Sequence, residues 1–170
     1  MRALPLCLIA GFCLLLLAVM PLIPRGEQSI QRLDPFNTQA DTVLAYFGFP
    51  GCQTACPKAL AEMTALEGTL SPEQLRRLDR VFVNIDPHSD VDRLEQWLGG
   101  YQGAIRAHQP SPEERHFIER NLGLRLYPTP DQPLHANVFV LLQQEAPDQW
   151  RVRTSHRELP LTQIHSALAH

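Results

Sequence analysis

The sequence predicts an α/β domain, a mixed β-sheet with helices on both faces, carried behind one apolar amino-terminal helix. Three observations carry this expectation. Short apolar runs rich in β-branched and aromatic residues, such as "TVLAYFGF" (42–49) and "RVFVNID" (80–86), read as strands buried on both sides. Segments with helical spacing and start signals alternate with them. The stretch from Ala3 to Ile23 contains no charged residue.

That stretch is twenty-one residues, about what a helix needs to cross a bilayer. A cleaved signal peptide is the alternative. Against it, the apolar run is long, and "AVM" followed by Pro21 is a poor small-residue cleavage site. Residues 1–25 are therefore expected to be a retained membrane anchor in the inner membrane, with the rest of the chain facing the periplasm or the outside. Arg2 and the terminal amine compete with Arg25 and Arg32 for the cytoplasmic side. Cys7 and Cys13, inside the apolar run, read as small hydrophobes. Residues 26–41 are polar and aperiodic and read as a linker, leaving residues 42–170 as the folded domain.

Within that domain the first strand is 42–49. A helix should follow, with Pro57 at its first position and Ala59, Leu60, Met63 and Leu66 at helical spacing. Ser71-Pro72-Glu73-Gln74 is a capping-box start for a second, short helix. The strand at 80–86 comes next. Ser89 to Asp92 offers another cap, ahead of an apolar face of Val91, Leu94, Trp97 and Leu98. "GAIRAH" (103–108) reads as a short strand and "SPEERHFIERNLG" (111–123) as a helix with a proline near its start and a terminal glycine. "HANVFVLLQ" (135–143) and "QWRVRTSH" (149–156) form a hairpin around Pro147-Asp148, and "LPLTQIHSALAH" closes the chain as a helix. A parallel half ending in an antiparallel hairpin predicts a thioredoxin-like topology.

From Gly26 onward there are 13 basic and 18 acidic residues, a net charge of −5, and Lys58 is the sole lysine. Such a balance gives no basic patch for nucleic acid.

The chemistry is concentrated at "YFGFPGCQTACPKAL" (46–60). Cys52 and Cys56 fall at the carboxyl end of the first strand, where open α/β sheets place their sites. Gly48 and Gly51 are expected to let the chain turn sharply there. Helix amides favour thiolates, and Cys56, at the helix start, is expected to gain more from them than the more exposed Cys52. Soft sulfur ligands select Cu(I), and a neutral imidazole is an acceptable third ligand. Among seven histidines, His135 is distinctive because it begins an apolar strand after the proline-rich "YPTPDQPL"; His108 is its rival.

This constellation resembles the Sco/SenC family of copper proteins, over about residues 42–169. "YFGFPGCQTACP" matches the family's aromatic-Gly-aromatic and Cys-x3-Cys-Pro pattern, "VFVNIDPHSD" its strand ending in Asp-Pro, and "HANVFVLL" its histidine-led strand. The resemblance implies a thioredoxin-like fold and copper, Cu(I) or Cu(II), held by Cys52, Cys56 and His135. It also implies a copper-receiving subunit of a respiratory oxidase as partner. Three departures stand out: there is little chain for the family's amino-terminal hairpin, "QTA" lacks the Pro-Asp common between the cysteines, and Leu134 replaces a frequent acidic residue. Asp86 and Asp90 read first as turn and cap residues and second as partner-facing acids.

A copper metallochaperone uses all three residues. A thiol–disulfide oxidoreductase acting on a copper-receiving protein, with Cys52 and Cys56 redox-active, uses two and is the alternative. A structural disulfide leaves the placement unexplained, and a thiol peroxidase is a fourth reading.

Overall fold

The computed structural model describes residues 27–31, 36, 38–101, 104–126, 137–147, 149–154 and 157–169. The expected anchor and His135 lie outside the described residues. No helix among the described residues is long and apolar enough to cross a membrane.

Among the described residues six strands form one sheet: β1 (Glu27–Gln31), β2 (Thr42–Gly48), β3 (Leu78–Asn84), β4 (Ile105–His108), β5 (Val138–Ala146) and β6 (Gln149–Thr154), in the order β1-β6-β5-β2-β3-β4. β2, β3 and β4 are parallel, whereas β5 runs antiparallel to β2, β6 to β5 and β1 to β6. The helices are α1 (Ala55–Ala65), continued by a 3-10 turn at Leu66–Gly68, α2 (Pro72–Arg77), α3 (Val91–Leu98), α4 (Pro112–Leu122) and α5 (Leu161–Ala167).

The sheet divides the core in two because strand side chains alternate between its faces. Leu44, Tyr46, Phe82, Phe139 and Leu141 face α1, α3 and α5, meeting Cys56, Leu60, Met63, Leu94 and Ile164. Val43, Ala45, Phe47, Val83 and Val140 face α4 and Phe36, meeting Ile118 and Leu122. Every residue of β2 is buried, as its unbroken apolar run requires.

Local signals hold where chemistry enforces them. Ser71 and Ser111 each make a capping box, with Gln74 and Glu114 respectively, and Pro72 and Pro112 open the helices. Gly123 ends α4 at φ 64°, a conformation natural to glycine. Asp90 caps α3 by accepting the Asp92 N–H at 3.1 Å.

Three expectations need correction. Residues 27–31, expected within the linker, form β1, paired through five residues with β6; a polar edge strand needs only a backbone partner, so hydrophobic pattern does not reveal it. α1 begins at Ala55, two residues early, so Pro57 is its third residue, still within the turn whose amides lack intrahelical partners. Val91 is 41% exposed and does not belong to the buried face of α3, which is Leu94 and Leu98.

Candidate metal and thiol site

Residues 49–52 make a tight turn closed by Cys52 N–H donating to the Phe49 carbonyl at 3.1 Å, with Pro50 and Gly51 between. The turn is tied to the sheet, since Ile85 N–H donates to the Gly48 carbonyl at 2.8 Å. It delivers Cys52, half-buried, just ahead of α1, and Cys56, fully buried, within its first turn. Both are free thiols.

The start of α1 lacks a side-chain oxygen cap, as Thr54 makes no capping bond. The Cys52 sulfur takes that role: it accepts the Cys56 N–H at 3.3 Å and receives the Thr54 and Ala55 amides and the Cys56 thiol. Partial burial pushes the Cys52 thiol up, but these converging donors outweigh it and hold Cys52 below the ordinary thiol range. Cys56 goes the other way. Burial, and then the hydrogen bond it gives to Cys52, push it up to about 12. The expectation that Cys56 benefits more from the amides is thus reversed, because they point back toward the residue preceding the helix.

Gly48 acts differently from the expected turn-former. It lies in β2, and a Cβ on it would come within 2.6 Å of Cys56 Sγ and 3.0 Å of Phe82 and Tyr46 ring carbons. Its missing side chain makes the space that Cys56 fills.

Two residues join the site that sequence reading passed over. The Tyr46 hydroxyl, buried beside Cys56, donates to Asn137 Oδ1 at 3.3 Å, and the Cys56 thiol lies 4.0 Å from the same oxygen. Burial, reinforced by the negative charge of either cysteine, raises the Tyr46 phenol far above its ordinary value. Asn137 stands at φ 37°, a left-handed conformation that asparagine tolerates better than most residues. The alternation in "TVLAYFGF" could have placed Tyr46 on the face of Cys56; for Asn137, polar ahead of an apolar strand was the available signal.

His108 is placed away from the sulfurs. It pairs with Val83 in the β3–β4 register and packs edge-on against Phe36 at 5.3 Å, both in the core opposite that of Cys56. Asp86 and Asp90 are turn and cap residues, as expected: Asp86 Oδ1 accepts the His88 N–H at 2.9 Å. His135, outside the described residues, is two positions before Asn137. Two adjacent soft sulfurs fit Cu(I) as donors. Among the described residues no third histidine, cysteine or carboxylate completes a cluster around them.

Fold and site together define a class: a sheet-and-helix domain with paired thiols where the first long strand meets a helix. Comparison with known proteins narrows it. The sequence model of SCO1/SenC matches residues 27–155, and the chain belongs to that family. A protein of Stutzerimonas stutzeri named "Putative copper-binding protein" is 30% identical over 110 residues, 62% of this chain; the chain spans about half of that relative, 54%. Among solved structures, Arabidopsis thaliana ScoI with copper bound superposes with TM-score 0.59 at 18% identity, covering 85% of this chain and 95% of that one. Yeast Sco1 gives 0.58 at 19%, covering 76% and 84%. A SCO1/SenC family lipoprotein of Bacillus anthracis gives 0.58 at 18%, covering 85% and 96%. These likenesses establish the thioredoxin-like fold.

Proposed function

We propose that this chain is a membrane-anchored copper metallochaperone that holds copper through Cys52, Cys56 and His135 and serves assembly of the copper centre of cytochrome c oxidase. The observation that carries the reading is the pair of free thiols at the β2–α1 junction, one presented half-exposed at the helix amides and the other buried behind it. His135 suits the third position because two residues of chain span at most about 7 Å, and Asn137 already lies against the Cys56 sulfur. Family membership supports copper as cargo, as does the copper bound in related structures. Residues 1–25 serve as the anchor, with the domain in the periplasm.

The unequal thiols favour a second reading, in which the pair also reduces cysteines of the copper-receiving protein. A half-exposed thiol held below its ordinary range beside a buried one held above it is the asymmetry of an attacking and a resolving cysteine. A relative, BsSco, was described with a disulfide switch and as a member of the Sco family of cytochrome c oxidase assembly proteins.

Metal analysis of reduced full-length protein after anaerobic Cu(I) loading tests the first reading. Near-equal copper and protein is expected, and loading unchanged in the Cys52→Ser, Cys56→Ser double variant would defeat it.

A further inference from the structure

A groove of about 480 Å³ lies beside the thiols. Ala55, Lys58, Ala59 and Glu62 line it from α1, spaced so that they share one helix face. Tyr46 and Asn137 line it on the side of Cys56, and Arg157 reaches it from the segment before α5. Neither cysteine lines the groove, but three residues of its wall touch the two sulfurs. The Ala55 amide bonds the Cys52 sulfur, while Tyr46 and Asn137 are the polar neighbours of Cys56. Its size is that of sites holding a small ligand or a few residues of peptide.

Its charge runs against that of the domain. Residues 26–170 carry a net −5 (13 basic less 18 acidic), yet here two cations meet one acid, and one of them is the chain's single lysine. Lys58 lies 3.7 Å from Glu62 and is 73% exposed, so its ammonium stays open to a competing anion, and Arg157 adds an excess positive charge. The alanines and the Tyr46 ring give the groove apolar surface between these charges.

We propose that this groove seats the cysteine-bearing segment of a partner protein, and that Lys58 and Arg157 select a carboxylate flanking that cysteine. The inference rests on the reading that the Cys52–Cys56 pair exchanges with a partner's cysteines. In that exchange the Cys52 thiolate attacks one sulfur of the partner's disulfide, whose S–S bond breaks and releases the other sulfur as a thiolate. Cys56 then attacks the Cys52 sulfur, its proton passing to the departing partner thiolate. Two electrons have moved to the partner, and Cys52 and Cys56 are left joined.

The test uses the metal-free full chain in detergent, with Cys56→Ser to trap the first adduct. Two synthetic cysteine peptides, each activated as a mixed disulfide with 2-thiopyridine, differ only in carrying Glu or Gln on either side of the cysteine. The rate of peptide attachment at Cys52, followed by mass spectrometry of the digested protein, gives a Glu-to-Gln ratio. Both probes meet the same thiol, so the ratio cancels any change in its reactivity. A ratio of about three- to tenfold is expected, as two partly exposed charge pairs supply. It should fall toward one with Lys58→Gln plus Arg157→Gln and rise with Glu62→Gln. A ratio near one in the parent, or one unmoved by the double substitution, overturns the proposal while leaving copper binding untouched. If neither probe reacts at Cys52, the exchange reading fails and the groove proposal with it.

Discussion

Gly48 and Cys56 share a contact that admits no side chain on residue 48: an added Cβ would lie 2.6 Å from the Cys56 sulfur. β2 and α1 therefore meet at a fixed separation, and the buried sulfur is their spacer. Gly48→Ala is expected to push Cys56 and the flanking Phe82 and Tyr46 rings outward, at about 1–3 kcal/mol for overpacking. Denaturant unfolding measures the loss, and faster alkylation of Cys56 would accompany it. An unchanged midpoint would mean that the neighbours yield freely.

The two thiols should react at very different rates. Cys52 is half-exposed and its thiol is held below the ordinary range by the converging donors, whereas Cys56 is buried and pushed up to about 12. At pH 7.5 iodoacetamide is expected to label Cys52 at least about tenfold faster than Cys56. Quantitative mass spectrometry of the two peptides decides it, and equal rates would contradict the hydrogen-bond arrangement at the helix start.

Copper loading should silence that reactivity. Thiolate ligation removes both sulfurs from attack, so Cu(I) is expected to slow labelling of Cys52, and oxidation of the pair to a disulfide should expel the metal. Labelling at the same rate with and without Cu(I) would rule out ligation by Cys52.

The histidines should separate cleanly. His108 packs in the core on the other side of the sheet, so His108→Ala should leave copper affinity within about twofold, whereas His135→Ala should weaken it by at least about tenfold. Competition with a Cu(I) chelator provides the comparison. Loss of metal in the His108 variant alone would contradict the assignment.

His108 should instead make stability depend on pH. Burial holds its imidazole below the ordinary range, opposed by Glu114 and reinforced by Arg106 and Arg115. A base with a lowered folded value contributes stability that is present above the unfolded value, about 6.5, and is lost as pH falls through the folded value. The parent should therefore lose more stability than His108→Gln between pH 7.5 and pH 5, as read from urea midpoints.

How much of this was legible in the sequence depended on the kind of interaction. β2 announced itself through a nearly continuous apolar run and β3 through Val81-Phe82-Val83, although β3 starts and ends two residues earlier than expected, at Leu78–Asn84. The capping boxes at Ser71 and Ser111 carry their whole mechanism within four residues. β1 was invisible because "EQSIQ" carries no apolar run, and an edge strand can be recruited through its backbone. The location of the site followed from Cys52 and Cys56 at a strand end. The inequality between them did not, since it depends on which way the first amides of α1 point and on the closeness of Gly48. Asn137 was missed because its partners, Tyr46 and Cys56, are 91 and 81 residues away.

The reversal of direction at β5 has a consequence for how an ion could leave. Phe47 pairs with Val138, so the beginning of β5 meets the end of β2 beside the cysteines. In the proposed copper site, the two sulfurs are anchored to β2 and α1, while the histidine belongs to the connection leading into β5. Because Cys56 is fully buried and packed against Gly48, exchange at the histidine would disturb the fold less than exchange at that sulfur. If copper is held there, a partner sulfur that replaced the His135 nitrogen would leave both cysteines, and the core packed around Cys56, undisturbed.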